Sequence, residues 1–290
     1  MSRPAPVCSD VLSRSPWLDH TMTRSPAAPG TFSEPPKKSL GQNFLHERGV
    51  VDRIVLAVNP QPGERLVEIG PGQGAMTFPL LKRHGALTAI EFDRDLLEPL
   101  TAQAATHGTL TLIHANVLDV DFTALADGAP IRLVGNLPYN LSSPILFHAL
   151  DHAAVITDMH FMLQKEVVER MASGPGSKVY GRLSVMLQAY CEVTMLFVVG
   201  PGAFRPPPKV DSAVVRLKPR PAGSVGIDDP RRFSDIVRAA FGQRRKTLRN
   251  ALSSVMDDDA IQASGIDPQL RAEQLAVADF VRLANHPVTT

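Results

Sequence analysis

Apolar residues follow two alternating spacings along the chain. Over 65–67, 86–90, 109–113 and 131–135 they form short runs bounded by glycine or polar residues. Such runs predict strands covered on both faces. Between them the apolar positions recur every three or four residues. Val50, Val51, Ile54, Val55 and Val58 predict a helix over 47–58. Met76, Phe78, Leu80 and Leu81 predict a second, and Leu96, Leu97 and Leu100 a third. Strand and helix in strict alternation is the pattern of an α/β fold built on a doubly wound sheet. The pattern continues with a helix over 142–150, a buried strand at Phe161-Met162-Leu163 and a helix beginning over 164–170. Runs at 195–199 and 210–217 predict an antiparallel hairpin at the sheet edge.

The flanks read differently. Residues 1–36 are rich in Pro, Ser and Arg without periodicity, which predicts a disordered tail. Residues 37–218 form the α/β domain. Residues 219–230 are rich in Pro and Gly and read as a linker. Over 231–290 the period is helical: Phe233, Ile236, Val237, Ala240 and Phe241 share one face, and Leu270, Leu275, Phe280, Val281 and Leu283 supply a core for short helices. A small all-helical C-terminal domain is therefore expected.

Composition narrows the class. The 290 residues are 44% hydrophobic and 20% charged, as in soluble globular proteins. No apolar run approaches the ~18 residues of a membrane span. A net charge of +1 excludes a uniformly basic protein, so any nucleic-acid surface must be local. Cys8 and Cys191 are too far apart in sequence for a metal or redox motif and point to a reducing, cytoplasmic compartment.

The candidate chemistry lies at the predicted strand ends. Glu68-Ile69-Gly70-Pro71-Gly72-Gln73-Gly74 follows the first sheet strand and precedes a helix. Glycines there let a ligand approach the backbone, at Gly70 and Gly72 above all. The spacing is neither that of dinucleotide folds nor that of a P-loop. Glu91 stands at the end of the next strand, about 20 residues on, where a carboxylate can accept from ribose hydroxyls. Asn116 ends the third and can both accept from and donate to an adenine edge.

Asn136-Leu137-Pro138-Tyr139 ends the fourth strand and is the most specific motif in the chain. It fits methyl transfer to an amino group conjugated with a ring. Such a nitrogen is a poor nucleophile because its lone pair is delocalised. The Asn136 side-chain oxygen and the Leu137 carbonyl can accept its two hydrogens and turn the lone pair toward a donor methyl. Pro138 fixes φ and holds those acceptors in place. Tyr139 can stack on the base, a contact worth about 1–3 kcal/mol.

Cationic positions come in three groups. Lys37 and Lys38 precede Asn43, which has both donor and acceptor. Phe204 to Lys209 places an aromatic, Arg205 and Lys209 beside the cleft on a proline frame. Arg244, Arg245, Lys246 and Arg249 cluster over about two helical turns, a pattern suited to a phosphate backbone. The loop 173–182, with Lys178, Tyr180 and Arg182, is a candidate lid or RNA contact.

Six segments in this order resemble the ribosomal RNA adenine dimethyltransferase family, in its small-subunit form. They are Gly41-Gln42-Asn43-Phe44-Leu45, the glycine turn from Glu68 to Gly74, Glu91-Phe92-Asp93, Asn136-Leu137-Pro138-Tyr139-Asn140-Leu141-Ser142-Ser143-Pro144, Pro207-Pro208-Lys209-Val210-Asp211-Ser212 and Phe241-Gly242-Gln243-Arg244-Arg245-Lys246-Thr247-Leu248. The resemblance implies a Rossmann-like S-adenosylmethionine methyltransferase sheet with a small helical C-terminal domain. It implies dimethylation at N6 of two adjacent adenosines in a hairpin near the 3′ end of 16S rRNA, in the immature small subunit, by a monomer. It places cofactor contacts at Asn43, Leu45, Gly70, Glu91, Asn116 and Asn136. Asn116 departs from the family, where aspartate preceded by glycine is common; asparagine keeps the acceptor. A sulfonium donor already carries a good leaving group, so no metal is required. The rival readings are a large-subunit 23S rRNA adenine methyltransferase of the antibiotic-resistance type, and a ribosome-assembly or nucleic-acid-binding factor whose chemistry is incidental.

Overall fold

The computed structural model describes residues 37, 42–243 and 245–287, and the expectations for 1–36, Lys38 and Arg244 fall outside the described residues. Among the described residues no helix is long and apolar enough to cross a membrane.

A two-residue strand, β1 (Phe44–Leu45), leads into α1 (Arg48–Val58), which buries Val50, Val51, Ile54, Val55 and Val58, the face its periodicity marks. Strands and helices then alternate: β2 (Arg65–Ile69), α2 (Thr77–His84), β3 (Ala86–Glu91), α3 (Leu97–Ala104), β4 (Thr109–His114), α4 (Phe122–Ala126), β5 (Ile131–Asn136), α5 (Ser142–Asp151), β6 (Ile156–Gln164) and α6 (Lys165–Ala172). β2 to β6 are mutually parallel. Helices α1 and α2 belong to the core on one face of the sheet, and α5, α6 and α7 (Arg182–Tyr190) to that on the other. Double coverage explains why β2 buries Leu66, Val67, Glu68 and Ile69 in succession.

The strand order is β4-β3-β2-β5-β6-β9-β7, where β7 is Cys191–Val199 and β9 is Ser212–Pro219. The antiparallel hairpin expected at the sheet edge is present, with β7 as the edge strand. β7 and β9 are antiparallel neighbours, but β9 lies inside the sheet, antiparallel to both β6 and β7. Its Ala213, Val214, Val215 and Leu217 are all buried, whereas β7 exposes Glu192, Thr194, Met195 and Val198, as an edge strand does. Adjacency in sequence concealed that the second strand is the interior one. Between them, β8 (Phe204–Arg205) pairs with β1, so Phe204 lies in the core at 2% exposure rather than beside the cleft.

The helical pattern after the sheet is realised as α8 (Pro230–Gly242), α9 (Leu248–Ala251), α10 (Asp258–Ala263) and α11 (Val277–Asn285). Asp229 caps α8 by accepting from the N–H groups of Arg231 and Arg232, and Pro230 occupies the first helical position, where its missing N–H costs nothing. Among the described residues, Arg245 and Lys246 lie between α8 and α9, and Arg249 lies in α9. α8 stops at Gly242, and Leu248 and Arg249 donate their N–H groups to Leu270 and Pro268, which draws the chain out of the helix path.

Two further features are silent in the sequence. Tyr180 is buried among the C-terminal helices and donates its hydroxyl to the Leu275 carbonyl at 2.9 Å, and Gly176 N–H donates to Glu273. The loop 173–182 is thus docked at these points onto the C-terminal helices. Helix α7, absent from the sequence reading, follows it. Leu183 and Leu187 enter the sheet core, while Val185, Met186 and Ala189 enter the core of the C-terminal helices. A helix wetted on no face carries no amphipathic period.

Candidate functional site

β4, β3, β2 and β5 are consecutive in the sheet, and the order of chain progression reverses between β2 and β5. A crevice opens at such a reversal, outside the carboxyl ends of the strands. Here it encloses about 280 Å³ and is lined by Asn43, Leu45, Gly70, Gly72, Glu91, Asn116, Asn136, Leu137, Pro138 and Tyr139. The structure therefore brings every candidate cofactor and base-cradle residue into one cleft.

The glycine turn forms its floor. Gly70 N–H donates to the Ile90 carbonyl at 2.9 Å, tying the turn to β3. Gly72 adopts φ +57°, and a Cβ there would stand 3.1 Å from the Phe44 ring. Any side chain would be strained and would push β1 away. Gly72 N–H also donates to Glu91 Oε2 at 3.2 Å, and Asp93 N–H donates to Oε1 at 2.8 Å. Each Glu91 oxygen keeps a lone pair for a hydroxyl. Burial pushes the Glu91 carboxyl above its usual range, against the pull of those N–H donors. Asn116 accepts from Leu118 N–H at 3.2 Å, which fixes the side chain at the end of β4. With Phe92, Val117 and Leu118 beside it, this end of the cleft sets the Asn116 amide among apolar side chains, which suits a purine.

Sequence reasoning passed over Glu68. It is fully buried beneath the cleft, with Oε2 accepting from Thr77 Oγ1 at 2.6 Å and Oε1 unpartnered. Burial raises its carboxyl to about 8; the Thr77 hydrogen bond opposes this and the Glu91 charge adds to it.

Asp93 and Gln42 were also missed as functional positions. Gln42 Nε2 donates to Asp93 Oδ2 at 2.9 Å, and Lys37 Nζ lies 2.6 Å from Asp93 and 2.5 Å from Asp95. These contacts clasp the segment that carries Asn43 and Leu45 onto the turn after β3. Burial acts to raise the Asp93 carboxyl, but hydrogen bonds from Lys37 and Gln42 outweigh it and hold it below the usual carboxylate range. Lys37, the first cation of the basic pair, is thus engaged by two carboxylates.

At the end of β5, Asn136 Nδ2 donates to the Asn43 carbonyl at 3.0 Å. This orients the amide and leaves Oδ1 to accept. Leu137 N–H donates to Met162. The Pro138 carbonyl accepts from Leu141 N–H, and the Tyr139 carbonyl from Ser142 Oγ at 2.8 Å. The Leu137 carbonyl accepts none of these. Two oxygens thus remain for a substrate amine. The Tyr139 ring lines the cleft while its hydroxyl meets Ser212 Oγ at 2.8 Å. Burial raises the Tyr139 phenol, with the Ser212 contact pulling the other way.

The remaining cations lie apart from this cleft wall. Arg205, Lys209, Arg245, Lys246 and Arg249 are all exposed. Arg249 pairs with Asp258 at 2.5 Å, which discounts its charge.

Residues 34–287 match the ribosomal RNA adenine dimethylase family. The chain is 74% identical to ribosomal RNA small subunit methyltransferase A of Xanthomonas campestris pv. campestris (strain B100), over 88% of this chain and 97% of the relative. It is likewise 74% identical to the protein of that name from Xanthomonas oryzae pv. oryzae (strain PXO99A), with the same coverage. Among solved structures, a dimethyladenosine transferase from Plasmodium falciparum superposes with a TM-score of 0.72 at 24% identity, covering 83% of this chain and 95% of that one. The 23S rRNA methyltransferase ErmE gives 0.65 at 24% identity, covering 84% and 99%. These two share the fold.

Proposed function

Because the chain belongs to the ribosomal RNA adenine dimethylase family, we propose that it dimethylates N6 of two adjacent adenosines in a hairpin near the 3′ end of 16S rRNA. The protein is an S-adenosylmethionine-dependent rRNA adenine dimethyltransferase. It acts on the immature small subunit as a monomer in the cytoplasm.

The observation that carries this reading is the pair of acceptors, Asn136 Oδ1 and Leu137 O, in the cleft that also holds Gly72, Glu91 and Asn116. The residues present fit the cofactor: a side chain at Gly72 would collide with the Phe44 ring of the cleft lining, Glu91 offers free lone pairs, and Asn116 stands among apolar side chains. When bound there, S-adenosylmethionine supplies an electrophilic methyl on a cationic sulfur. Asn43, Leu45, Gly70, Glu91 and Asn116 hold it. Asn136 and Leu137 accept the two N6 hydrogens, which localises the lone pair on nitrogen and aims it along the line of attack. They also stabilise the positive charge that develops there. Tyr139 stacks on the adenine once it has left its neighbours, which favours a hairpin loop over a duplex.

Mass spectrometry of 16S rRNA, after incubating immature small subunits with the protein and labelled S-adenosylmethionine, tests the reading. Dimethyladenosine at two adjacent positions supports it. Modification of naked 23S rRNA instead would favour the large-subunit alternative.

Two predictions arise from the surroundings of the cleft. Asp93→Asn should weaken S-adenosylhomocysteine binding about three- to ten-fold in calorimetry, because a charge-assisted contact becomes neutral. Since the Asp93 carboxyl is held low, the clasp persists above its usual range and opens only as pH falls through the lowered value. Changing Arg205, Lys209, Arg244, Arg245 and Lys246 to glutamine should weaken rRNA binding and flatten its dependence on salt, each lost phosphate contact lowering the slope by about 0.7–0.9. Filter binding across a salt series measures it, and an unchanged slope would assign these cations to solvent.

A further inference from the structure

Tyr139 poses a problem that the transfer chemistry does not answer. A stacking platform needs only a ring, and phenylalanine would supply one. The hydroxyl stays protonated, because burial holds the Tyr139 phenol above its usual range, and it is no base for the proton that N6 sheds on methylation. Its partner is Ser212 Oγ, at 2.8 Å.

Ser212 is an unusual place for a surface-type residue. It is fully buried, at the first position of β9, paired with Gln164 of β6 on one side and Val199 of β7 on the other. Tyr139 comes from the turn after β5, and β6 lies between β5 and β9. The phenol therefore spans the carboxyl end of one strand to reach the next. The anchor itself is fixed. Lys165 N–H donates to the Asp211 carbonyl at 2.9 Å, and interior strand pairing holds the backbone on both sides. A ring tied at its far end to a rigid strand keeps one orientation before any base arrives. Ordering that side chain is then paid for in folding and not in each encounter with RNA.

We propose that Ser212 is a positioning residue for methyl transfer: its hydroxyl fixes the Tyr139 ring in the orientation that receives the extruded adenine. The assignment rests on the proposed activity, and it names a residue outside the cleft lining. Ser212 acts only through the phenol, so its effect requires Tyr139 to be a tyrosine. The chain also gains a link from the exposed loop bearing Lys209 to the base platform, since Ser212 follows that loop directly.

The test is a double-mutant cycle with Ser212→Ala, Tyr139→Phe and the pair together, assayed on immature small subunits with S-adenosylmethionine. Each single change should lower kcat/KM for the RNA about ten-fold through lost preorganisation, and the double variant should be no slower than either single one. S-adenosylhomocysteine affinity and thermal midpoint should stay close to wild type. With 2-aminopurine at the target adenosine, the fluorescence change on binding should be smaller for Ser212→Ala than for wild type. Ser212→Cys, nearly isosteric and a weak hydrogen-bonding group, should recover part of the rate. Independent, multiplicative losses would overturn the assignment, as would an unchanged kcat/KM in Ser212→Ala. A parallel loss of cofactor affinity and stability would overturn it too, by showing a general packing role. If Ser212→Ala does not fold, Tyr139→Phe removes the same hydrogen bond from the other end, and its undiminished kcat/KM would overturn it equally. Absence of methylation by the wild-type protein would instead refute the activity itself.

Discussion

Replacing Asn136 with alanine is expected to reduce single-turnover methylation about 10²–10³-fold, the usual cost of deleting a preorganised group aimed at developing charge. The side chain has two tasks. Its Nδ2 grips the Asn43 carbonyl at 3.0 Å, and its Oδ1 is left to accept on a residue that lines the cleft. Alanine removes both, so cofactor affinity should also fall, modestly. Measuring at saturating S-adenosylmethionine isolates the loss of the acceptor. The exposed cations of the RNA surface are untouched, and rRNA affinity should remain within about two-fold of wild type. Full-rate methylation by Asn136→Ala would remove this side chain from the mechanism.

The second large effect concerns stability. Glu68 is fully buried, and its carboxyl is raised from 4.5 to about 8. Between those values the folded protein holds a proton that the unfolded chain releases. Stability contributed by the neutral acid is therefore complete below pH 4.5 and is lost as pH rises toward 8. The loss across that window is about 4 kcal/mol, which is 1.36 kcal/mol per unit less the part withheld by incomplete titration at its two ends. Glu68→Gln keeps an acceptor for Thr77 and has no proton to lose. Its unfolding free energy should match wild type near pH 5 and exceed it by about 3–4 kcal/mol at pH 8. Glu91 is shifted the same way and remains in both proteins, so the difference between them reports Glu68 together with its coupling to Glu91. Urea titrations at both pH values measure the difference. Equal pH dependence in the two proteins would mean that Glu68 is already ionised in the fold.

Much of this cleft is readable before any coordinates. Gly70, Glu91, Asn116 and Asn136 each end an apolar run, and parallel strands place their ends in one row. That rule needs only the alternation of elements. What sequence cannot supply is contact between distant polar groups. Gln42 and Asp93 lie inside recognisable motifs, yet nothing in their spacing announces a 2.9 Å hydrogen bond across 51 positions. The Ser212 link to Tyr139 spans 73 positions and is equally silent. Nor does the spacing show the two carboxylates that meet Lys37 in space. Phe204 looked like a loop aromatic because β1 and β8 are two-residue strands, too short to show alternation. Sequence placed the β7–β9 hairpin at the edge without saying which of its strands lies inside, and the burial of Ala213, Val214, Val215 and Leu217 marks β9.

Helix α7 has a consequence for how relatives of this protein can exchange parts. It forms a common wall, giving Leu183 and Leu187 to the sheet and Val185, Met186 and Ala189 to the C-terminal helices. A cut at the Pro- and Gly-rich stretch 219–230 would strand the second set against water and orphan the Tyr180 phenol from Leu275. A cut before α7 would strip the first set from the sheet. No single seam therefore yields two self-sufficient modules, and a chimera that borrows another family member's C-terminal helices must also borrow the outward side of this one.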